Sequence, residues 1–188
     1  MTTLVIGSPE RMAMLGAVIA KQLSAGDLVL LNGELGAGKT TLTRAIGETL
    51  GIRGTVTSPT FVLARTHPRL DDSASDPAPL VHVDAYRLGS AVELDDLDID
   101  FEASIVVVEW GAGLLDGVSE SWLNIDIARP TGAGDAARDE TQIGSAHSGV
   151  EQSTADDFAE EAIEPRTVEV TGYGAKWADM GWLNVPSD

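Results

Sequence analysis

Eight consecutive residues, Gly33-Glu34-Leu35-Gly36-Ala37-Gly38-Lys39-Thr40, place a glycine at each end of a short loop, followed by a lysine and a hydroxyl. A loop of this kind turns backbone N–H groups inward onto one anion, and a helix starting inside it adds its dipole. Glycine supplies the backbone angles and the close approach. In the pattern G-x-x-x-x-G-K-[ST], Lys39 reaches the β- and γ-phosphates of a nucleotide and the Thr40 hydroxyl ligates Mg²⁺. Thr41 is placed for the α-phosphate. Such a site also needs a carboxylate at the end of a neighbouring strand to organise the metal. Glu109, closing Ile105-Val106-Val107-Val108-Glu109, stands in that setting. Asp84, in His82-Val83-Asp84-Ala85-Tyr86, is the second candidate, as a base or an outer metal ligand.

The flanking segments are those that must hold such a loop. Asp27 to Asn32 is a short apolar run suited to a strand buried on both faces. After the loop, Leu42, Ala45, Ile46 and Leu50 recur at helical spacing and Gly51 provides a stop. Upstream, Thr3 to Ile6 predicts a strand and Pro9 to Ser24 a helix, with Ser8 as its cap. Downstream, Phe61 to Arg65, Leu80 to Leu88 and Ser104 to Trp110 read as strands, the last one buried. Trp122 to Ala128 and Arg166 to Gly172 read as a late antiparallel pair. The acidic stretch from Glu93 to Glu102 predicts short helical turns with a solvated face, because Ala103 occupies the place where a calcium loop needs glycine. The expected fold is α/β: a three-layer nucleotide-binding domain with a mixed, mostly parallel central sheet and helices on both faces. One domain is expected over residues 1–188.

Residues 129–165 stand apart. They hold nine acids and two arginines and almost no large apolar side chain, so they bury too little surface to offset their ordering entropy. A disordered acidic insertion between the two late strands is expected, with a short helix allowed near Thr154 to Ile163. The whole chain carries a net charge of −18, which opposes unaided binding to phosphate backbones. Cysteine is absent, which excludes disulfides and zinc–cysteine sites. Met12 to Ala20 is apolar but short and bracketed by Arg11 and Lys21, so no membrane span is expected and a cytoplasmic location is. His67 and His147 fall in expected loops and are read as exposed, whereas His82 is read as a structural hydrogen-bonding group.

The ordered set "GELGAGKTTLTRAIGETLGI", "VTSPTFVL", "HVDAYRL" and "VVVEW" resembles the TsaE family as far as about Ala128, and again over "RTVEVTGYGAKW". The resemblance implies a small Mg²⁺-dependent ATPase that supports tRNA threonylcarbamoyladenosine synthesis by acting with TsaB and TsaD, and touches tRNA only through that complex. It implies that Gly33 to Thr41 bind the nucleotide, with Lys39 on phosphate and Thr40 and Glu109 on the metal. It also implies that Asp84 is an essential acid, that Ser58 and Thr60 form a switch-like segment near the γ-phosphate, and that Trp110 is the family's tryptophan. The acidic insertion departs from the family, where a short turn is usual.

Rival chemistries fit less well. A small-molecule kinase closes an arginine-bearing lid, and here the long insertion is acidic. A guanine-reading switch carries N-K-x-D, which this chain lacks. A tRNA-binding module would need Arg44, Arg53, Arg65, Arg69 and Arg87 to cluster against an acidic background.

Overall fold

Leu80–Asp84 and Ile105–Glu109 are buried at every position. Such runs belong in the interior of a parallel sheet covered on both faces. The computed structural model describes residues 1–59, 61–70, 77–113, 118–119, 121–129 and 164–184. In chain order the elements are β1 (Thr2–Ile6), α1 (Pro9–Ala20), β2 (Leu28–Asn32), α2 (Lys39–Leu50), β3 (Ala64–His67), β4 (Leu80–Asp84), α3 (Ala91–Asp95), β5 (Ile105–Glu109), β6 (Trp122–Ala128) and β7 (Arg166–Tyr173).

The seven strands form one sheet in the order β1-β7-β6-β2-β5-β4-β3. Its centre, β6-β2-β5-β4, is parallel. Antiparallel pairings of β1 with β7, β7 with β6, and β3 with β4 close the flanks. On one face α1 and α2 cover the larger core, which includes Leu15, Ile19, Leu42, Ile46, Val29 and Val107. On the other, Leu94 of α3 joins Leu28, Leu30, Val81, Val106 and Val108. The expected three layers and mixed sheet are therefore present.

Two features place the glycine-rich loop that follows β2. A Cβ on Gly16 of α1 would lie 2.6 Å from the Ala45 Cβ, so the glycine lets α1 press directly against α2. Gly33 has φ 139°, and a Cβ there would meet the Ile127 carbonyl oxygen at 2.3 Å, so the turn out of β2 tolerates no side chain.

Several boundaries differ from the sequence expectation. α1 ends at Ala20, four residues early, with Lys21 as its C-cap. The third strand starts at Ala64, because Val62 and Leu63 donate backbone hydrogen bonds to the Pro59 carbonyl at 2.8 Å and Leu63 adopts φ 66°. β4 stops at Asp84, whose side chain accepts from the Tyr86 N–H and caps a 3₁₀ turn over Ala85–Arg87. The acidic insertion, with the helix near Thr154, His147 and Arg138, lies outside the described residues apart from its ends at Arg129, Glu164 and Pro165.

His67 is a correction of greater consequence: it is not exposed but sits on β3 with 5% of its surface accessible, its Nε2 without a partner among the described residues. Burial lowers its pKa below the ordinary 6.5, with smaller contributions from His82 and Arg65. Protonation therefore costs more in the folded chain than in the unfolded one. The stability contributed by neutral His67 is present above the ordinary histidine range and is lost as pH falls through it. The melting temperature of His67→Phe is expected to fall less between about pH 8 and about pH 5.5 than that of the unsubstituted chain. Parallel pH profiles of the two by thermal denaturation would check this.

Candidate nucleotide site

The C-terminal ends of β2, β5 and β4 lie side by side, the position at which open α/β sheets bind ligands. β2 feeds the loop Gly33–Gly38, in which Gly33, Gly36 and Gly38 all have positive φ. Gly38 is the N-cap of α2, with φ 114° and no side-chain hydrogen bond, so the first turn of the helix is left open to an anion. The parallel register pairs Asp84 directly with Glu109, and Glu109 with Leu31 at the end of β2. Two carboxylates 25 positions apart in the sequence thus stand next to each other at the mouth of that loop.

A cavity of about 600 Å³ opens here, lined in part by Gly38, Lys39, Thr40, Thr41, Asp84 and Glu109. Leu35, Gly36 and Ser58 also face it, as do the aromatic rings of Tyr86 and Trp110. Its volume is in the range of small-molecule sites. Glu34 and Ala37 belong to the loop but do not line this cavity, and Ala37 is buried beneath it. Thr60 lies outside the described residues.

Lys39 is 4% exposed. Its Nζ donates to the carbonyls of Gly33 at 2.7 Å and Glu34 at 3.0 Å, and lies 3.8 Å from the centroid of the Trp110 ring. Burial lowers the Lys39 pKa, while Glu109 and Asp84 act in the opposite direction. The lysine is therefore held back on its own loop, beside two carboxylates, with a short path to any phosphate that displaces those carbonyl contacts. Trp110 adopts φ 64°, unusual for a bulky residue, and its ring meets Tyr86 edge-on at 5.7 Å. Strain of this kind at a binding site persists only where the surroundings enforce it.

Thr40 Oγ1 donates to Glu109 Oε1 at 2.9 Å, and His82 Nε2 lies 2.8 Å from the same oxygen. Asp84 Oδ1 accepts from the Tyr86 N–H at 3.1 Å. Both acids are almost fully buried, Glu109 at 4% and Asp84 at 5%. Thr40 and Glu109 offer adjacent hard oxygen donors, a set that suits Mg²⁺. Among the described residues no three His, Cys, Asp or Glu converge on a common point.

The structure thus brings together Lys39, Thr40, Thr41, Asp84, Glu109, Trp110 and Ser58 as the sequence anticipated. Sequence reasoning missed Tyr86 as a lining residue and the packing of Trp110 on Lys39. The bond between His82 and Glu109 was legible in part, since His82 and Asp84, two apart on one strand, share a face. The arginines read as a possible nucleic-acid cluster are largely engaged locally. Arg44 Nε donates to the Val56 carbonyl at 3.4 Å, Arg65 Nη1 to Thr57 Oγ1 at 2.6 Å and Arg69 Nε to the Leu50 carbonyl at 2.8 Å.

Comparison with known proteins finds relatives over most of the chain. Residues 6–138 match the family described as "Threonylcarbamoyl adenosine biosynthesis protein TsaE". A Streptomyces coelicolor protein named "tRNA threonylcarbamoyladenosine biosynthesis protein TsaE" is 49% identical over 170 residues, 89% of this chain and 94% of that one. The Bacillus subtilis protein of the same name is 35% identical over 71% of this chain and 80% of its own length. Among solved structures, Bacillus subtilis YdiB shares the fold, with a TM-score of 0.57 and 24% identity over 94% of this chain and 88% of that one.

Proposed function

This chain belongs to the TsaE family of threonylcarbamoyl adenosine biosynthesis proteins, and from that premise we propose that it is a Mg²⁺-dependent ATPase acting on a TsaB–TsaD complex during tRNA modification. The observation that carries the ATPase reading is the meeting of Lys39, Thr40, Asp84 and Glu109 around one cavity at the head of α2. A phosphate-binding loop without acids would bind nucleotide and stop there. Two buried carboxylates at its mouth supply what hydrolysis needs.

In this reading the loop amides from Gly33 to Thr41 take the phosphate chain, and Lys39 leaves the Gly33 and Glu34 carbonyls for the β- and γ-phosphates. Thr40 and Glu109 would hold Mg²⁺, which supplies charge neutralisation on the phosphates when bound. Asp84 or Glu109 orients a water in line with the γ-phosphorus. As the water oxygen bonds to that phosphorus, the bond to the bridging β–γ oxygen breaks, and ADP and inorganic phosphate result. In this reading Ser58, on the cavity wall, belongs to the segment nearest the γ-phosphate. No arginine among the described residues lines the cavity. Charge stabilisation in the transition state is therefore incomplete in the isolated chain, so slow turnover is expected until a partner completes the site.

The tRNA is reached through the complex and not by the chain alone, consistent with the net charge of −18. No helix among the described residues is long and apolar enough to cross a membrane.

ATP turnover by the purified chain, measured alone and then with TsaB, TsaD and tRNA, tests the proposal. Weak hydrolysis that rises with the partners is the expected result. Strong hydrolysis without them, or none in their presence, would overturn it and favour transfer to a small-molecule acceptor.

A further inference from the structure

His82 lies in the middle of β4, with none of its surface accessible and no direct opening to the cavity. Its Nε2 is 2.8 Å from Glu109 Oε1, while its Nδ1 is buried without a hydrogen-bond partner among the described residues. These two facts together determine the tautomer. A proton on Nδ1 would leave a buried N–H with no acceptor, and would turn the Nε2 lone pair toward a carboxylate oxygen. Placed on Nε2, the proton makes a charge-assisted hydrogen bond to Glu109, and only a weak acceptor goes unpaired.

Glu109 Oε1 therefore receives two donors, His82 from β4 and Thr40 from α2, whereas Oε2 receives none among the described residues. The two donors differ in permanence. Thr40 lies in the cavity wall and is itself a candidate metal ligand, so its hydroxyl reorganises when the site fills. His82 is held in the sheet, and its side chain makes no other hydrogen bond among the described residues.

We propose that His82 is a positioning residue. By holding Oε1 it fixes the rotamer of Glu109, so that the remaining carboxylate oxygen is presented to the cation site whether or not nucleotide is bound. The role rests on the nucleotide-site reading given above. Outer partners that orient a metal-ligating side chain typically alter metal affinity or activity by about 10–100-fold when removed.

Three substitutions separate orientation from packing. His82→Phe keeps the ring and removes the donor. His82→Gln places an amide N–H near the position of Nε2, whereas His82→Asn places one near Nδ1, too far from Glu109. Binding of a fluorescent ADP analogue is measured first in EDTA and then across a Mg²⁺ titration. His82→Phe and His82→Asn are expected to bind the analogue in EDTA as the unsubstituted chain does. Both should need about 10-fold or more Mg²⁺ to reach the half-point of the metal-dependent change. His82→Gln should return that half-point to within about 3-fold of the unsubstituted chain.

An unchanged half-point in His82→Phe, or in His82→Asn if the phenylalanine variant does not fold, would overturn the positioning role. So would a loss of metal-free binding in proportion to the loss with metal, since that pattern marks a general packing defect. An unsubstituted chain that binds no analogue in either condition would overturn the nucleotide-site reading itself, and the role of His82 with it.

Discussion

Replacing Lys39 with alanine is expected to weaken ATP binding about 10–100-fold and to lower turnover a further ~10²-fold or more. The first figure follows from the exchange that binding requires. In the free site Lys39 Nζ donates to two carbonyls, at 2.7 and 3.0 Å, and faces the Trp110 ring at 3.8 Å. Phosphate must displace those contacts, and a hydrogen bond from the ammonium to a charged phosphate oxygen contributes about 1.5–3 kcal/mol. At ~1.4 kcal/mol per tenfold, that gives one to two decades of affinity. The second figure follows because charge on the γ-phosphoryl oxygens grows toward the transition state, where a fixed cation has most effect. The substitution also removes the cation beside Glu109 and Asp84, both nearly buried, so a lower melting temperature is expected as well. Calorimetric titration with ATP, run beside a melting curve, separates the two effects. Binding within about 3-fold of the unsubstituted chain would remove Lys39 from the phosphate site.

The second large effect concerns the paired acids. Glu109→Gln and Asp84→Asn keep shape and most hydrogen bonds but remove charge. In Asp84→Asn the amide oxygen can still accept from the Tyr86 N–H, and in Glu109→Gln it can still accept from Thr40 and His82. Each variant is therefore expected to fold and to bind nucleotide within about 3-fold of the unsubstituted chain, while turnover with the partner complex falls by about 10²–10⁴-fold. The two should differ in metal dependence. The variant that loses turnover and also needs more Mg²⁺ has lost a metal ligand, and the one that loses turnover at an unchanged Mg²⁺ requirement has lost the group that orients water. Steady-state rates across a Mg²⁺ series make the distinction. Normal turnover in both variants would exclude the pair from the chemistry.

Much of the site was legible in the chain because its demands are local. A loop that must take positive φ at Gly33, Gly36 and Gly38 has to be written in glycine at those positions, and the lysine and threonine that follow are its immediate neighbours. A strand buried on both faces must be written in apolar residues, as Val106, Val107 and Val108 are before Glu109. The expected antiparallel pairing of Trp122 to Ala128 with Arg166 to Gly172 holds, β7 running one residue further to Tyr173, across an insertion that lies mostly outside the described residues. The placement of Glu109 at a strand end could be read from where its apolar run stops, whereas Asp84, expected inside a strand running on to Leu88, is found at the end of β4.

Contacts between distant segments depend on tertiary structure. Thr40 and Glu109 are 69 positions apart, and His82 and Glu109 are 27 apart, yet all three converge on one carboxylate oxygen. A shift of one residue in the pairing of β4 with β5 would turn His82 and Asp84 away from Glu109, and nothing in either strand alone specifies that register. His67 shows the same limit from the other side. A polar residue beside Pro68 reads as loop, but the antiparallel pairing of β3 with β4 places it opposite Leu80 and buries it. The sequence by itself determined the glycine loop, the strands that flank it and the acids available to it, because each is a demand that a residue places on its own backbone and burial. Only the tertiary structure decided which acid faces which, what holds Glu109 in place and where Lys39 rests, because those depend on register and packing between segments that meet only when the sheet is assembled.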